Sequence, residues 1–349
     1  MQILSYVALL ACLPGVTKPA QPSRLSQEVY PWHLEKTFTR RVTGTLQQTR
    51  SMPDLEVPKW VIYAPIPSKV LDCQSNITAA LSAPGTNATA VIVTEKGPLG
   101  QQALCLVVNG RTASDLPVKV DYSADLSAVR VRPGASQAPV PPLSEKDWNL
   151  YTAAASPDNP DDCMDFNTPA VKAFIEAQGL SPLPNENEIQ YGVRALTWII
   201  NRYHYRSDNQ DRHVSALLKE DWGDCGSFAN IFVGIMRAAG YPARTKWGLM
   251  AHSATAGFGH VRTELWINSI GWVTVDVAQA VTSKDPLGTF GYDPGDVIYT
   301  WVDTGPQLPS PMNVLAHNQF FELPISQMSW HGDAKPNLVV KDNWTVSQK

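Results

Sequence analysis

The sequence predicts an α+β protein: a β-sandwich-like domain first, then helices packed on an antiparallel sheet. Two changes along the chain carry this expectation. Short alternating apolar segments recur through residues 27–133. Past a proline-dense stretch, PGASQAPVPPLSEKD at 133–147, the apolar period becomes that of helices. The expected division is a β-rich domain at 27–133, a linker at 134–147 and a second domain at 148–349 that ends in a loop-rich extension.

Taken in order, residues 1–26 read as an export signal. The run Ile3 to Val16, ILSYVALLACLPGV, is apolar but shorter than the ~20 residues of a membrane span. No Lys or Arg precedes it. Leu9-Leu10-Ala11-Cys12 loosely matches a bacterial lipobox, which leaves a lipid anchor at Cys12 open beside a periplasmic or secreted location. No other stretch is long and apolar enough to cross a bilayer.

Strands are expected at 36–46, at 60–63 before Pro65 and Pro67, and at 117–122 and 127–132. Segments 88–94 and 103–108 flank a Lys-Gly-Pro-Leu-Gly turn and read as a hairpin. Cys73 and Cys105 both lie in this half and form a candidate disulfide for an oxidising compartment. No CxxC pair is present, and neither a metal nor a cofactor is expected. The 28 Lys and Arg nearly balance the 32 Asp and Glu, which argues against a nucleic-acid binder held by phosphate contacts. An apolar share of 44% with 11 Trp excludes a disordered chain.

Beyond the linker, Thr168-Pro169-Ala170 opens a helix that Gly179 ends. A second spans about 187–203, with Ile189, Val193, Leu196 and Ile200 at helical spacing. The third begins at Cys225: Phe228, Ile231, Phe232, Ile235, Met236 and Ala239 form one apolar stripe, and Gly240 and Pro242 end it. Cys225 is outside the stripe and in the first turn, where the macrodipole lowers a thiol's pKa and free N–H groups can face an oxyanion. Asp224 opposes that effect by its charge. Strands follow at about 244–250, 260–267 and 272–277, and beyond 280 the chain reads as loops with short strands.

On the second of these strands His260, Arg262, Glu264 and Trp266 share a face, and Trp272, Thr274 and Asp276 share one on the third. If Ile267 pairs with Gly271, an unbroken ladder sets His260 opposite Ala278, with Asp276 its diagonal neighbour. A thiol, an imidazole and a carboxylate in that chain order suit nucleophilic catalysis, with His as the base and Asp holding its tautomer.

Over about 190–280 the sequence resembles the transglutaminase-like superfamily. The resemblance is carried by Gly223-Asp224-Cys225 at a helix start and by Arg237-Ala-Ala-Gly-Tyr-Pro-Ala-Arg244. His260 with Glu264 and Trp266, and Gly271-Trp272 leading to Asp276, complete it. It implies a papain-like core with a triad at Cys225, His260 and Asp276. The front half also looks like the β-domain that precedes this core in many bacterial relatives. Asp276 is followed by Val277, where relatives often have Pro. The vertebrate crosslinking enzymes have further β-barrel domains that the residues after 280 cannot supply.

Trp222, Tyr203 and Tyr205 are candidate oxyanion donors, and Arg262 and Trp266 are candidate substrate-binding residues. Arg244 reads either as a carboxylate binder or as a structural ion-pair residue. The expected function is a thiol enzyme acting on amide bonds of protein or peptide substrates through a thioester, with water preferred as acceptor. A crosslinking acyltransferase and a silent peptide- or glycan-binding module are the alternatives.

Overall fold

The computed structural model describes residues 32–52, 55–109, 115–134, 140–207, 211–313, 315–331 and 337–348. The expected signal at 1–26, with Cys12, lies outside them. The first strands are β1 (Trp32–Ser51), β2 (Glu56–Pro65), β3 (Gln74–Ser82), β4 (Val91–Thr94), β5 (Gln102–Asn109) and β6 (Asp115–Pro133). Helices α1 (Glu145–Tyr151), α2 (Pro169–Ala177) and α3 (Glu188–Arg202) follow. Next come β7 (His204–Tyr205), α4 (Val214–Leu217), β8 (Trp222–Gly223) and α5 (Cys225–Ala238). Then come β9 (Ala243–Met250), β10 (Gly259–Ile267), β11 (Gly271–Val275) and α6 (Val277–Thr282). The chain closes with β12 (Tyr292–Asp293), β13 (Val297–Val302), β14 (Gln307–Leu308), β15 (Ala316–His317), β16 (Ile325–His331) and β17 (Val339–Gln348). No described helix is long and apolar enough to cross a membrane.

The described residues fall into two compact units that interleave in sequence. One takes 32–37, 128–246 and 261–294, and the other takes 38–127, 247–260 and 295–349. Of the segment beyond 280, expected as loops with short strands, the part after 294 thus joins the β-rich unit. There β17 runs antiparallel to β1, from Val42↔Gln348 to Ser51↔Val339. That pairing joins chain ends about three hundred residues apart, which no local pattern announces. The strands expected at 117–122 and 127–132 are one strand, β6, whose alternate burial continues through Ala124 and Leu126.

In the β-rich unit, β4 and β5 form the expected hairpin, from Val91↔Cys105 to Thr94↔Gln102. One core takes Trp60 and Ile62 from β2, Leu106 from β5, Val120 and Tyr122 from β6 and Trp344 from β17. Cys73 and Cys105 are thiols and not a disulfide. Cys105 lies in the sheet β16-β2-β5-β4, whereas Cys73 precedes β3, which pairs with β6 in another sheet.

In the other unit, helices cover one face of the sheet that β9, β10 and β11 build, against Ala243, Leu265, Val273 and Val275. Helix α3 starts with a capping box between Asn187 and Gln190. Helix α5 is buried on every side from Gly226 to Arg237, more than the single stripe predicts. It is the central helix, and Gly240 ends it at φ 84°. Two short helices replace expected irregular structure: α1 enters the linker's last residues behind the cap Ser144, and α6 takes Val277 from the end of a strand.

Candidate active site

The thiol's position follows from its neighbours. Asp224 caps α5, its Oδ1 accepting from the Ser227 N–H at 3.0 Å, so Cys225 is the first helical residue. Gly223 must lack a side chain, because a Cβ would meet Ser227 Cβ at 2.8 Å and the Phe228 ring at 3.0 Å. Cys225 is half-buried, while Cys73, Cys105 and Cys163 are buried.

Arg212 grips the same turn. Its Nη1 and Nη2 donate to the two Asp224 oxygens, the Nη2 bond at 2.7 Å, and Nη1 also donates to Ser227 Oγ at 2.6 Å. Burial pushes the Asp224 carboxyl up, but the hydrogen bond and charge of Arg212 together with the two Ser227 hydrogen bonds outweigh it and hold the group below the usual carboxylate range.

A short parallel bridge, His204↔Trp222 and Tyr205↔Gly223, sets Tyr205 beside this turn. Burial first, then the charges of Cys225 and Asp224, with Asp276 also contributing, push the Tyr205 hydroxyl up to about 12. The thiol, the phenol and the Asp276 carboxylate therefore share one electrostatic neighbourhood. Among the other oxyanion candidates, Tyr203 is a core residue: it is buried, its hydroxyl donates to the Leu217 carbonyl at 3.4 Å, and its ring packs on Phe228. Trp222 is half-buried, with the Arg206 guanidinium 4.3 Å from the centroid of its ring.

The hairpin has the assumed register, Ile267↔Gly271 through Thr263↔Val275. The ladder stops there. Asp276 turns to cap α6, its Oδ1 accepting from the Gln279 N–H at 2.9 Å, so Ala278 is helical and does not pair with His260. Half-buried His260 is the second residue of β10, on the same face as Arg262. Arg262 Nε donates to Asp276 Oδ2 at 2.8 Å.

Arg262 belongs to a buried chain of charges on this face. Arg244 pairs with Glu264 at 2.7 Å, Glu264 with Lys246 at 3.1 Å, Lys246 with Asp293 at 2.6 Å, and Asp293 with Arg262 at 3.4 Å. Among these described residues three cations face three carboxylates, so their formal charges balance. Arg244 also lies 4.0 Å from the Trp272 centroid and is a structural ion-pair residue. Arg262 is 2% exposed and Trp266 8%, the latter packed on Trp272. Both side chains expected to bind substrate are therefore buried, Arg262 against Asp276 and Trp266 against Trp272. The sequence reading missed Arg212, Lys246 and Asp293. Lys246 was legible, since it alternates with Arg244 on a strand, whereas nothing local links Arg212 to Asp224.

A half-buried thiol opening a central helix, followed by a hairpin that bears a histidine and leads to a carboxylate, defines the class: an α+β fold built around a helix-borne cysteine. Residues 181–277 match the family model of the transglutaminase-like superfamily. No curated protein matches the chain. Among solved structures, a "Putative Cysteine Protease" from Cytophaga hutchinsonii is similar over 90% of this chain and 100% of its own, with TM-score 0.54 and 15% identity. The periplasmic domain of TgpA from Pseudomonas aeruginosa, bound to ethylmercury, aligns over 65% of this chain and 91% of its own, with TM-score 0.33 and 11% identity. At such identities the first likeness is one of fold.

Proposed function

We propose that this protein hydrolyses amide bonds of protein or peptide substrates, with Cys225 as nucleophile, His260 as its base and Asp276 as the group that holds the imidazole. The observation that carries the reading is Cys225 itself: the first residue of a capped, buried helix, and half-buried where the other described cysteines are buried.

Sγ attacks the carbonyl carbon while His260 takes the thiol proton. The tetrahedral intermediate collapses to a thioester as His260 protonates the departing amine. His260 then deprotonates a water, which attacks the thioester, and the carboxylic acid leaves as the thiol is restored. Tyr205, held protonated with its value near 12, is the side-chain donor for the oxyanion beside the first-turn N–H groups of α5. Asp276 accepts from Arg262 Nε on one oxygen and from the Gln279 N–H on the other, bonds that fix the orientation of the carboxylate assigned to hold the imidazole.

The test compares wild type with Cys225→Ala on a peptide-amide library, with and without an added primary amine. Free carboxylic acid formed only by the wild type supports hydrolysis. Amine incorporation in its place would make the protein an acyltransferase, and equal turnover by both proteins would overturn the reading. Iodoacetamide should label Cys225 faster than Cys73, Cys105 or Cys163 near neutral pH.

A further inference from the structure

A carboxylate one residue before a nucleophilic thiol opposes loss of its proton, whereas the helix terminus favours that loss. At Asp224 both influences meet on Cys225. Arg212 approaches from the segment just before α4, and its guanidinium spans both Asp224 oxygens and reaches Ser227 Oγ at 2.6 Å. Its backbone carbonyl accepts from Asn230 Nδ2 at 2.9 Å, so one residue holds the first two turns of α5 by side chain and main chain together. Arg212 and Asp224 are each 8% exposed, which keeps water and salt from screening the pair.

We propose that Arg212 is a positioning residue for the nucleophile: it cancels the charge of Asp224 while leaving that carboxylate to cap α5, so that the helix terminus acts on the Cys225 thiol unopposed. The proposal rests on reading Cys225 as the nucleophile. Among the described residues, the charged or titratable groups near this turn include Tyr205 of β7, Asp276 at the start of α6 and Arg206, whose backbone N–H donates to the Gly223 carbonyl at 2.8 Å, with His260 as the proposed base. All four stay unchanged in the variants below. Asp224 thereby has two tasks with opposite demands. As a cap it must be an acceptor close to the helix start, and as a neighbour of the thiol it must carry little net field.

The experiment measures the rate of Cys225 alkylation by iodoacetamide against pH on the full chain, with the labelled site identified by mass spectrometry. The variants are Arg212→Met, Arg212→Lys, Asp224→Asn and the double variant Arg212→Met with Asp224→Asn. Arg212→Met should raise the thiol's apparent pKa by about one unit, a roughly tenfold slower reaction below it. Asp224→Asn, which keeps a capping side chain, should lower it by a similar amount. The double variant should return near wild type, and Arg212→Lys should fall between wild type and Arg212→Met. A purely structural role would move both single variants in the same direction and the double further. That pattern, or no shift in either, overturns the proposal. If Arg212→Met does not fold, the sign for Asp224→Asn decides alone: a lowered value supports it, and a raised or unchanged one overturns it. The readout needs no turnover, so opposite shifts without Cys225-dependent hydrolysis would uphold Arg212's action on the thiol and sink the hydrolytic reading. Cys225-dependent hydrolysis without opposite shifts would do the reverse.

Discussion

Replacing Lys246 by Met removes one charge from the centre of the buried cluster at nearly constant side-chain length. Lys246 is 0% exposed, and its Nζ donates to Asp293 at 2.6 Å, Thr274 at 2.9 Å and Glu264 at 3.1 Å. In Lys246→Met, Glu264 retains Arg244 at 2.7 Å. Asp293 loses its 2.6 Å partner, and Arg262, 3.4 Å away, is already bound to Asp276. A neutral buried cluster becomes net negative. Removing one partner of a buried ion pair costs about 3–5 kcal/mol. At roughly 2–4 °C per kcal/mol for chains of ~150–250 residues, the unfolding temperature should fall by roughly 6–20 °C. Adding Asp293→Asn restores neutrality, so the double variant should recover at least ~2 kcal/mol over the sum of the singles. Urea and thermal unfolding at pH 7, followed by tryptophan fluorescence, measure both quantities. A loss under ~1 kcal/mol for Lys246→Met, or strict additivity in the double, would refute the claim that these charges compensate one another. The same variant should unfold more readily in acid. Burial raises the Glu264 carboxyl, but Lys246 and Arg244 more than offset it and leave it lowered. Its stabilisation is therefore present above the unfolded value and lost as pH falls through the folded one, and without Lys246 that loss begins at higher pH.

Glu95 behaves in the opposite sense: burial above all raises it to about 7, against the bonds from Gln101. Its contribution is full below the unfolded value near ~4.3 and lost as pH rises through about 7, so Glu95→Gln should gain roughly 1–3 kcal/mol over wild type at pH 8 and little at pH 4. Denaturation at the two pH values checks this, and an equal effect at both refutes it. Gly44→Ala would drive a Cβ into the ring of Trp344, which is 0% exposed, and should cost ~1–3 kcal/mol or more by urea unfolding. An exported mature protein should begin at Cys12 if that residue carries a lipid, and beyond the Ile3–Val16 run if it does not; intact mass with N-terminal sequencing separates the two, and a chain that keeps Met1–Ala11 refutes export.

The elements that the sequence placed well are those whose signals are local. Thr168 and Gly240 mark helix ends by their own chemistry, and each sits at the expected end. The β10–β11 hairpin has the register inferred from its alternating pattern, because a slip by one residue would turn Leu265 and Val273 away from the core. The reading failed where a partner lies far along the chain. The C-terminal strand β17 needs β1. A local signal was also missed: the continuation past Val275 ends because the Asp276 side chain caps a helix, accepting from the N–H three residues on. Arg262 was read as a ligand for substrate because an arginine on a strand face near a histidine has the same sequence signature whether it meets substrate or a buried carboxylate.

By itself, the order of residues determined that a thiol opens a helix and that a hairpin bearing a histidine and leading to an aspartate follows. Capping, apolar period and alternation act over a few residues, and the sequence displays them directly. Only tertiary structure decided which charges neutralise which. The bonds Arg212–Asp224, Lys246–Asp293 and Arg262–Asp276 span gaps of 12, 47 and 14 residues. Burial decides whether such a charge needs a counter-ion, and burial is a property of the packed chain.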